Sequence, residues 1–120
     1  MSEELIEDLI LIIESIDIIE DRTQDIKEAD NFVTSPRGLL IFDSVVMRLQ
    51  SIGELIKNID KFNPGLFNKY KQMDWNEIIK LRDLIPHHYH DLDNEIIFDI
   101  CKKDITSLKI VIEQIIKENQ

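Results

Sequence analysis

The stretch SPRGLLIFDSVVMRLQSIGELIKNIDKFNPG, residues 35 to 65, decides how this chain folds. Ser35-Pro36 reads as an N-cap followed by a first-turn proline, whose missing N–H costs nothing there and whose fixed φ suits a helix. Phe42, Val45, Leu49, Ile52, Ile56 and Ile59 then recur at spacings of three and four, one face of a long helix. Asn63-Pro64-Gly65 stops it. Gly53 interrupts the interior at a cost of ~1 kcal/mol relative to alanine. Either another backbone approaches closely there or the helix tolerates an imperfection.

Upstream, Leu5, Leu9, Ile12, Ile16 and Ile19 mark a second stripe, and Ile6, Ile10 and Ile13 widen it. So broad an apolar surface needs cover from more than one neighbour. It predicts a first helix from about Glu3 to about Asp30. Downstream, Leu66 and Phe67 fall in a short turn or helix. Asp74 with Glu77 three residues later reads as a capping box that opens a helix at Trp75. Asp91 or Asp93 opens the last helix, which runs through Ile100, Leu108, Val111, Ile112 and Ile115 to about Lys117. No segment alternates with period two. The expected fold is all-α, an up-and-down bundle of four long helices plus one short helix, in a single domain over residues 1–120. Surplus apolar surface on the first and last helices predicts a homodimer.

A chain of 120 residues can bury a core without disulfides or metal. Hydrophobic content of 43% with 32% charged residues indicates a soluble globular protein and excludes a disordered one. The single cysteine, Cys101, rules out an internal disulfide and a metal-binding cysteine pair, which predicts a reducing cytoplasm. The N-terminus is acidic where a signal peptide would be basic. Its longest apolar run, Leu9 to Ile13, is too short to span a bilayer, so no membrane partner is expected. Net charge is −10, yet residues 1–30 hold 11 of the 24 acids against Arg22 and Lys27 alone, a net of −9. The remainder is within one charge of neutral. Tight non-specific binding to long nucleic acid is not expected, while short or local engagement stays open.

The segment RDLIPHHYHDLDN, residues 82 to 94, carries the chemistry. It sets Arg82, His87 and Tyr89 in the pattern R-x4-H-x-Y. A cation that holds phosphate, an imidazole that moves protons near neutrality and a phenol beside them suit phosphodiester cleavage. On a helical wheel starting at Trp75, Arg82 falls among Ile78, Ile79 and Ile85, and the opposite arc is almost wholly polar. A guanidinium on that face must be paired or must line a polar cleft, because an unpaired buried charge is very costly. Two accounts fit: a structural bridge to carboxylates or helix-end carbonyls, or a pocket for an anionic ligand. His87 lies ~140° from Arg82 on an ideal helix. Pro86 kinks or ends that helix and lets His87 swing toward Arg82 of its own chain or of a two-fold partner. His88 and His90 read as cap or surface residues, and His87 and Tyr89 also have that plain reading, as a cap and an interface aromatic. The histidines and aspartates lack the spacing of a helical metal site. No nucleotide-binding glycine loop or serine elbow occurs, so no cofactor is expected.

These features resemble the HepT-like branch of the HEPN superfamily, small all-α toxins paired with minimal nucleotidyltransferase antitoxins. The match covers most of the chain. It includes Arg48-Leu-Gln-Ser-Ile-Gly-Glu54, like the family's R-x-L-x-x-I-G-E pattern, then Trp75, Arg82-x4-His87-x-Tyr89, Asp93 and the segment from Ile96 to Leu108. The resemblance implies a homodimeric, metal-independent endoribonuclease whose motif lines a cleft between protomers. Arg82 and His87 would be catalytic, Tyr89 would be the residue to which the antitoxin attaches AMP, and Asp83, Glu54 and Arg48 would support them. Asp83 stands where asparagine is commoner and puts a negative charge beside the cleft. Pro86 and Thr106 also depart from the usual pattern. The rival reading is a non-catalytic helical partner, a nucleotide-binding subunit of a nucleotidyltransferase complex in which Arg82 is structural.

Overall fold

Every long helix here starts or stops where a particular backbone group finds a partner. The computed structural model describes residues 3–120, the side chains of Leu81, Asp83, Leu84, Pro86, His87, His88 and Tyr89 excepted. Ser35 accepts a hydrogen bond from the Gly38 N–H at 2.9 Å and opens α2 (Pro36–Phe62), with Pro36 in the first turn as the sequence implies. Asn63 closes α2 with its backbone N–H on the Ile59 carbonyl, and Gly65 turns the chain at φ +85°. The stripe from Phe42 to Ile59 is buried.

The first helix is shorter than its periodicity predicts. α1 (Glu3–Arg22) stops eight residues before Asp30. Thr23 takes the Ile19 carbonyl with both its backbone N–H and its hydroxyl, and its own carbonyl receives Lys102 Nζ at 2.7 Å. The chain turns there and re-enters as a 3-10 helix over Ala29–Phe32. Ile26, Ala29 and Phe32 are all buried. Their spacing of three looks helical in sequence, and a 3-10 turn eclipses residues three apart. Phe32 meets the edge of Phe42 at 5.3 Å between centroids. The first turn of α2 rests on this backbone: a Cβ at Gly38 would lie 2.0 Å from the Asn31 carbonyl oxygen.

After a 3-10 turn at Phe67–Lys69 comes α3 (Trp75–His88), which passes the Pro86 position and tightens to a 3-10 turn over Tyr89–Asp91. Of the two aspartates offered as the start of the last helix, Asp93 is the cap, accepting from the Glu95 N–H at 2.8 Å. That helix is α4 (Asn94–Asp99), a π turn (Ile100–Asp104) and α5 (Ile105–Glu118) in one unbroken rod. The π turn has no sequence mark such as glycine or proline. Ile97, Cys101 and Ile105 are buried at spacings of four and four. An α-helix would rotate such a set ~40° per step away from the core, and the wider turn cancels that drift. Burial pushes the Cys101 thiol up to about 12, so it stays protonated and unreactive.

Four helical rods therefore pack around one apolar core, and no strand occurs among the described residues. The broad face of α1 is covered by both α2 and α5. Lys109 reaches Asp17 at 2.7 Å while Lys102 reaches Thr23, contacts whose order shows that α1 and α5 run antiparallel. Tyr70 donates its hydroxyl to Glu118 at 2.6 Å and ties the loop before α3 to the end of α5. This bond lowers the Glu118 carboxyl and raises the Tyr70 phenol from their ordinary values. Its contribution is full between the two ionisations, fading as acid protonates Glu118 or strong base ionises Tyr70. No helix of the described residues is long and apolar enough to cross a membrane.

Gly38→Ala should lower the urea midpoint, by an overpacking cost of about 1–3 kcal/mol, although alanine normally favours a helix. An unchanged midpoint would contradict the close packing of α2 on the Asn31 backbone.

Candidate functional site

The position of Arg82 is set by how α3 begins. Trp75 stacks on Phe67 at 4.1 Å between centroids and donates its indole N–H to the Tyr70 carbonyl at 2.9 Å. Asp74 accepts from the Glu77 N–H at 3.2 Å, the cap implied by their spacing. With the start pinned, the inner face of α3 turns to α2. Ile85 is buried, Trp75, Ile78 and Ile79 are half-buried, and Glu77 and Lys80 are exposed. The helical wheel therefore sorted the described side chains correctly.

Gly53 is the reason the two helices can approach so closely. A Cβ on it would sit 2.6 Å from Arg82 Cβ and 3.2 Å from the Ile78 carbonyl oxygen, closer than packed atoms allow. Of the two explanations open from sequence, the close approach holds. It places the stem of Arg82 directly over the α2 backbone, with the side chain 27% exposed. Its Nε lies 3.9 Å from Glu54 Oε1, and the Glu54 side chain is 57% exposed. A pair so long and so open to water is weak. Arg82 therefore sits at the edge of the α2–α3 contact, mostly covered, with about a quarter of its side chain open to water.

Of the other residues singled out in the sequence, Glu54 is brought to Arg82. Arg48 lies half-buried on α2, and none of the described contacts joins it to Arg82 or Glu54. The helix does not end at Pro86 as the sequence reading allowed: the backbone carries α3 through His88 and into the 3-10 turn beginning at Tyr89, and on such a continuous stretch positions 82 and 87 stand ~140° apart. The side chains of Asp83, His87 and Tyr89 lie outside the described residues. His90 and Asp91 are exposed. Among the described residues, no three His, Cys, Asp or Glu side chains converge as a metal site would need.

One feature near this site was not legible in the sequence. Between α2, α3 and the π turn lies a groove of about 460 Å³, lined by Ile52, Ile78 and Leu108 and flanked by Asp74, Glu77 and Asp104. The acids come from two segments far apart in the chain, with Asp104 at the end of the π turn.

Gly53→Ala should force α3 away from α2, with an overpacking cost of about 1–3 kcal/mol set against the gain of ~1 kcal/mol that alanine brings to a helix interior. A net loss in chemical denaturation is expected. Glu54→Ala should change stability by less than about 1 kcal/mol, because its pair is exposed. The reverse order would mean that the ion pair, not the backbone approach, holds Arg82.

Comparisons with known proteins point to one family. A family model described as Ribonuclease HepT-like matches residues 12–115. A protein of Methanocaldococcus jannaschii named as a gamma-glutamylcyclotransferase and "putative RNase" is 38% identical over 108 residues, 89% of this chain and 45% of that protein. A second "putative RNase" of the same organism is 37% identical over 75 residues, 62% of this chain and 60% of its own length. The chain thus spans about half the length of these two relatives. A probable ribonuclease HepT of Thermococcus cleftensis is 32% identical over 107 residues, 88% of this chain and 90% of the relative. No solved structure matches the chain.

Proposed function

The chain belongs to the ribonuclease HepT-like family, and from that premise we propose that it is a metal-independent endoribonuclease, the toxin of a toxin–antitoxin pair. The observation that supports the reading is Arg82 of the R-x4-H-x-Y pattern, its stem held over Gly53 and its side chain 27% exposed at the edge of the α2–α3 contact.

The reaction needs few parts. An RNA 2′-hydroxyl attacks the adjacent phosphorus as a base removes its proton. The 5′-oxygen leaves as an acid protonates it, and a 2′,3′-cyclic phosphate remains. Imidazole near neutrality serves either role, and two His87 copies across a homodimer would supply both. Arg82 would stabilise the charge that develops on the phosphoryl oxygens. Glu54, weakly paired with Arg82, would keep the guanidinium oriented until a phosphate displaces it. Asp83 lies beside the arginine in sequence and would favour substrates that approach from the other side. A minimal nucleotidyltransferase antitoxin would silence the site by attaching AMP to Tyr89, filling it with bulk and negative charge.

The Arg82–Glu54 contact also favours a second reading, in which the chain is a non-catalytic, nucleotide-binding subunit of a nucleotidyltransferase complex and Arg82 is structural. Arg82→Ala and His87→Ala, each folded by circular dichroism, should reduce cleavage of a mixed-sequence RNA by about 100-fold or more. Loss of folding in Arg82→Ala together with no cleavage above background by the unaltered chain would select the second reading, and full cleavage by a folded His87→Ala would overturn the role given to His87. Tyr89→Phe should retain cleavage and, co-expressed with the nucleotidyltransferase, should fail to gain the mass of AMP units that the unaltered chain acquires. A Tyr89→Phe chain that still gains that mass would place the modification elsewhere.

A further inference from the structure

The groove beside the π turn has a chemistry opposite to that of Arg82. Its floor is apolar, with Leu49, Ile52 and Leu108 buried at the base. Its rim carries Asp74, Glu77 and Asp104, all exposed, and no basic side chain is among the described residues that line it. Lys80 touches Glu77 only at 3.9 Å with both side chains largely in water, so the rim keeps its negative charge. A nucleic-acid backbone is repelled by such a rim.

The depression does not end at its own edge. At Gln72, Met73 and Asp74 it joins a second trough of about 580 Å³ that continues past Trp75 toward Asp60. Two joined depressions form an elongated surface, better matched to a stretch of polypeptide than to a compact molecule. Amphipathic helices dock in such grooves by seating aliphatic anchors on the floor, and flanking charges select the partner. The π turn contributes Ile100 to the wall and Asp104 to the rim, in keeping with the frequent use of π turns at functional sites.

The geometry points to a docking groove for a basic amphipathic segment of a partner protein, with large aliphatic side chains on the Ile52–Leu108 floor and lysines or arginines facing Asp104, Glu77 and Asp74. Arg82 is not among the lining residues, so the groove would hold its segment whether or not the chain cleaves RNA.

The probe is a short fluorescent peptide of leucine and lysine at helical amphipathic spacing, with a scrambled peptide of the same composition beside it, each titrated into the full chain by anisotropy. The amphipathic peptide should bind at least about tenfold more tightly than the scrambled one. The paired reversal Glu77→Lys with Asp104→Lys should weaken it by about tenfold or more, and so should Ser107→Trp, which fills the groove from its exposed edge. A reversal of two exposed acids elsewhere, Glu14→Lys with Glu113→Lys, should change it by no more than about twofold at moderate salt. Circular dichroism establishes that each variant is folded. Equal loss in both reversals would reduce the binding to the chain's overall negative charge and overturn the proposal. So would equal affinity for the scrambled peptide, or displacement of the peptide by an RNA oligonucleotide.

Discussion

The approach of α3 to the backbone of α2 at Gly53 is the constraint on which the rest of this molecule depends. Helices that carry side chains at their crossing stay about 8–10 Å apart, and a missing Cβ is what allows a closer contact. Here the space where that Cβ would stand is taken by the stem of Arg82 and the carbonyl of Ile78. The same contact covers most of the Arg82 side chain, which stays 27% exposed beside Glu54. Stability and the candidate chemistry thus use one packing arrangement, and a change at position 53 acts on both.

Charge is divided over the α2–α3 surface in a consistent way. The Arg82 end presents a guanidinium beside one exposed carboxylate, while the end near the start of α3 presents three carboxylates around an apolar floor. The formal charge of −10 therefore describes neither end. An anion is attracted at one and repelled at the other, and the two are separated by little more than a turn of α3. This local division would let an acidic chain accommodate the proposed phosphate site.

Much of the fold was legible because its signals are local. Ser35 and Pro36, Asn63 to Gly65, Asp74 and Asp93 each satisfy or remove a specific backbone group, and each marks a boundary where the helix does start or stop. The end of α1 was misread because Ile26, Ala29 and Phe32 continue a helical spacing while serving a 3-10 turn. The end of α1 is met from far along the chain, by Lys102 on the Thr23 carbonyl, which local spacing does not encode. The π turn was illegible for a similar reason. Its residues have no special propensity, and the widening follows from keeping Ile97, Cys101 and Ile105 on one core.

The amino-acid sequence by itself determined the helical class, most helix boundaries, the inward side of α3 and the R-x4-H-x-Y pattern, since each depends on neighbours within a turn or two. Tertiary structure alone decided that Gly53 is a contact and not a flaw, that Arg82 stops at the rim beside Glu54, and that Asp104 faces Asp74 and Glu77 across a groove. Those outcomes depend on distances between segments far apart in the chain, which packing sets and local spacing does not encode.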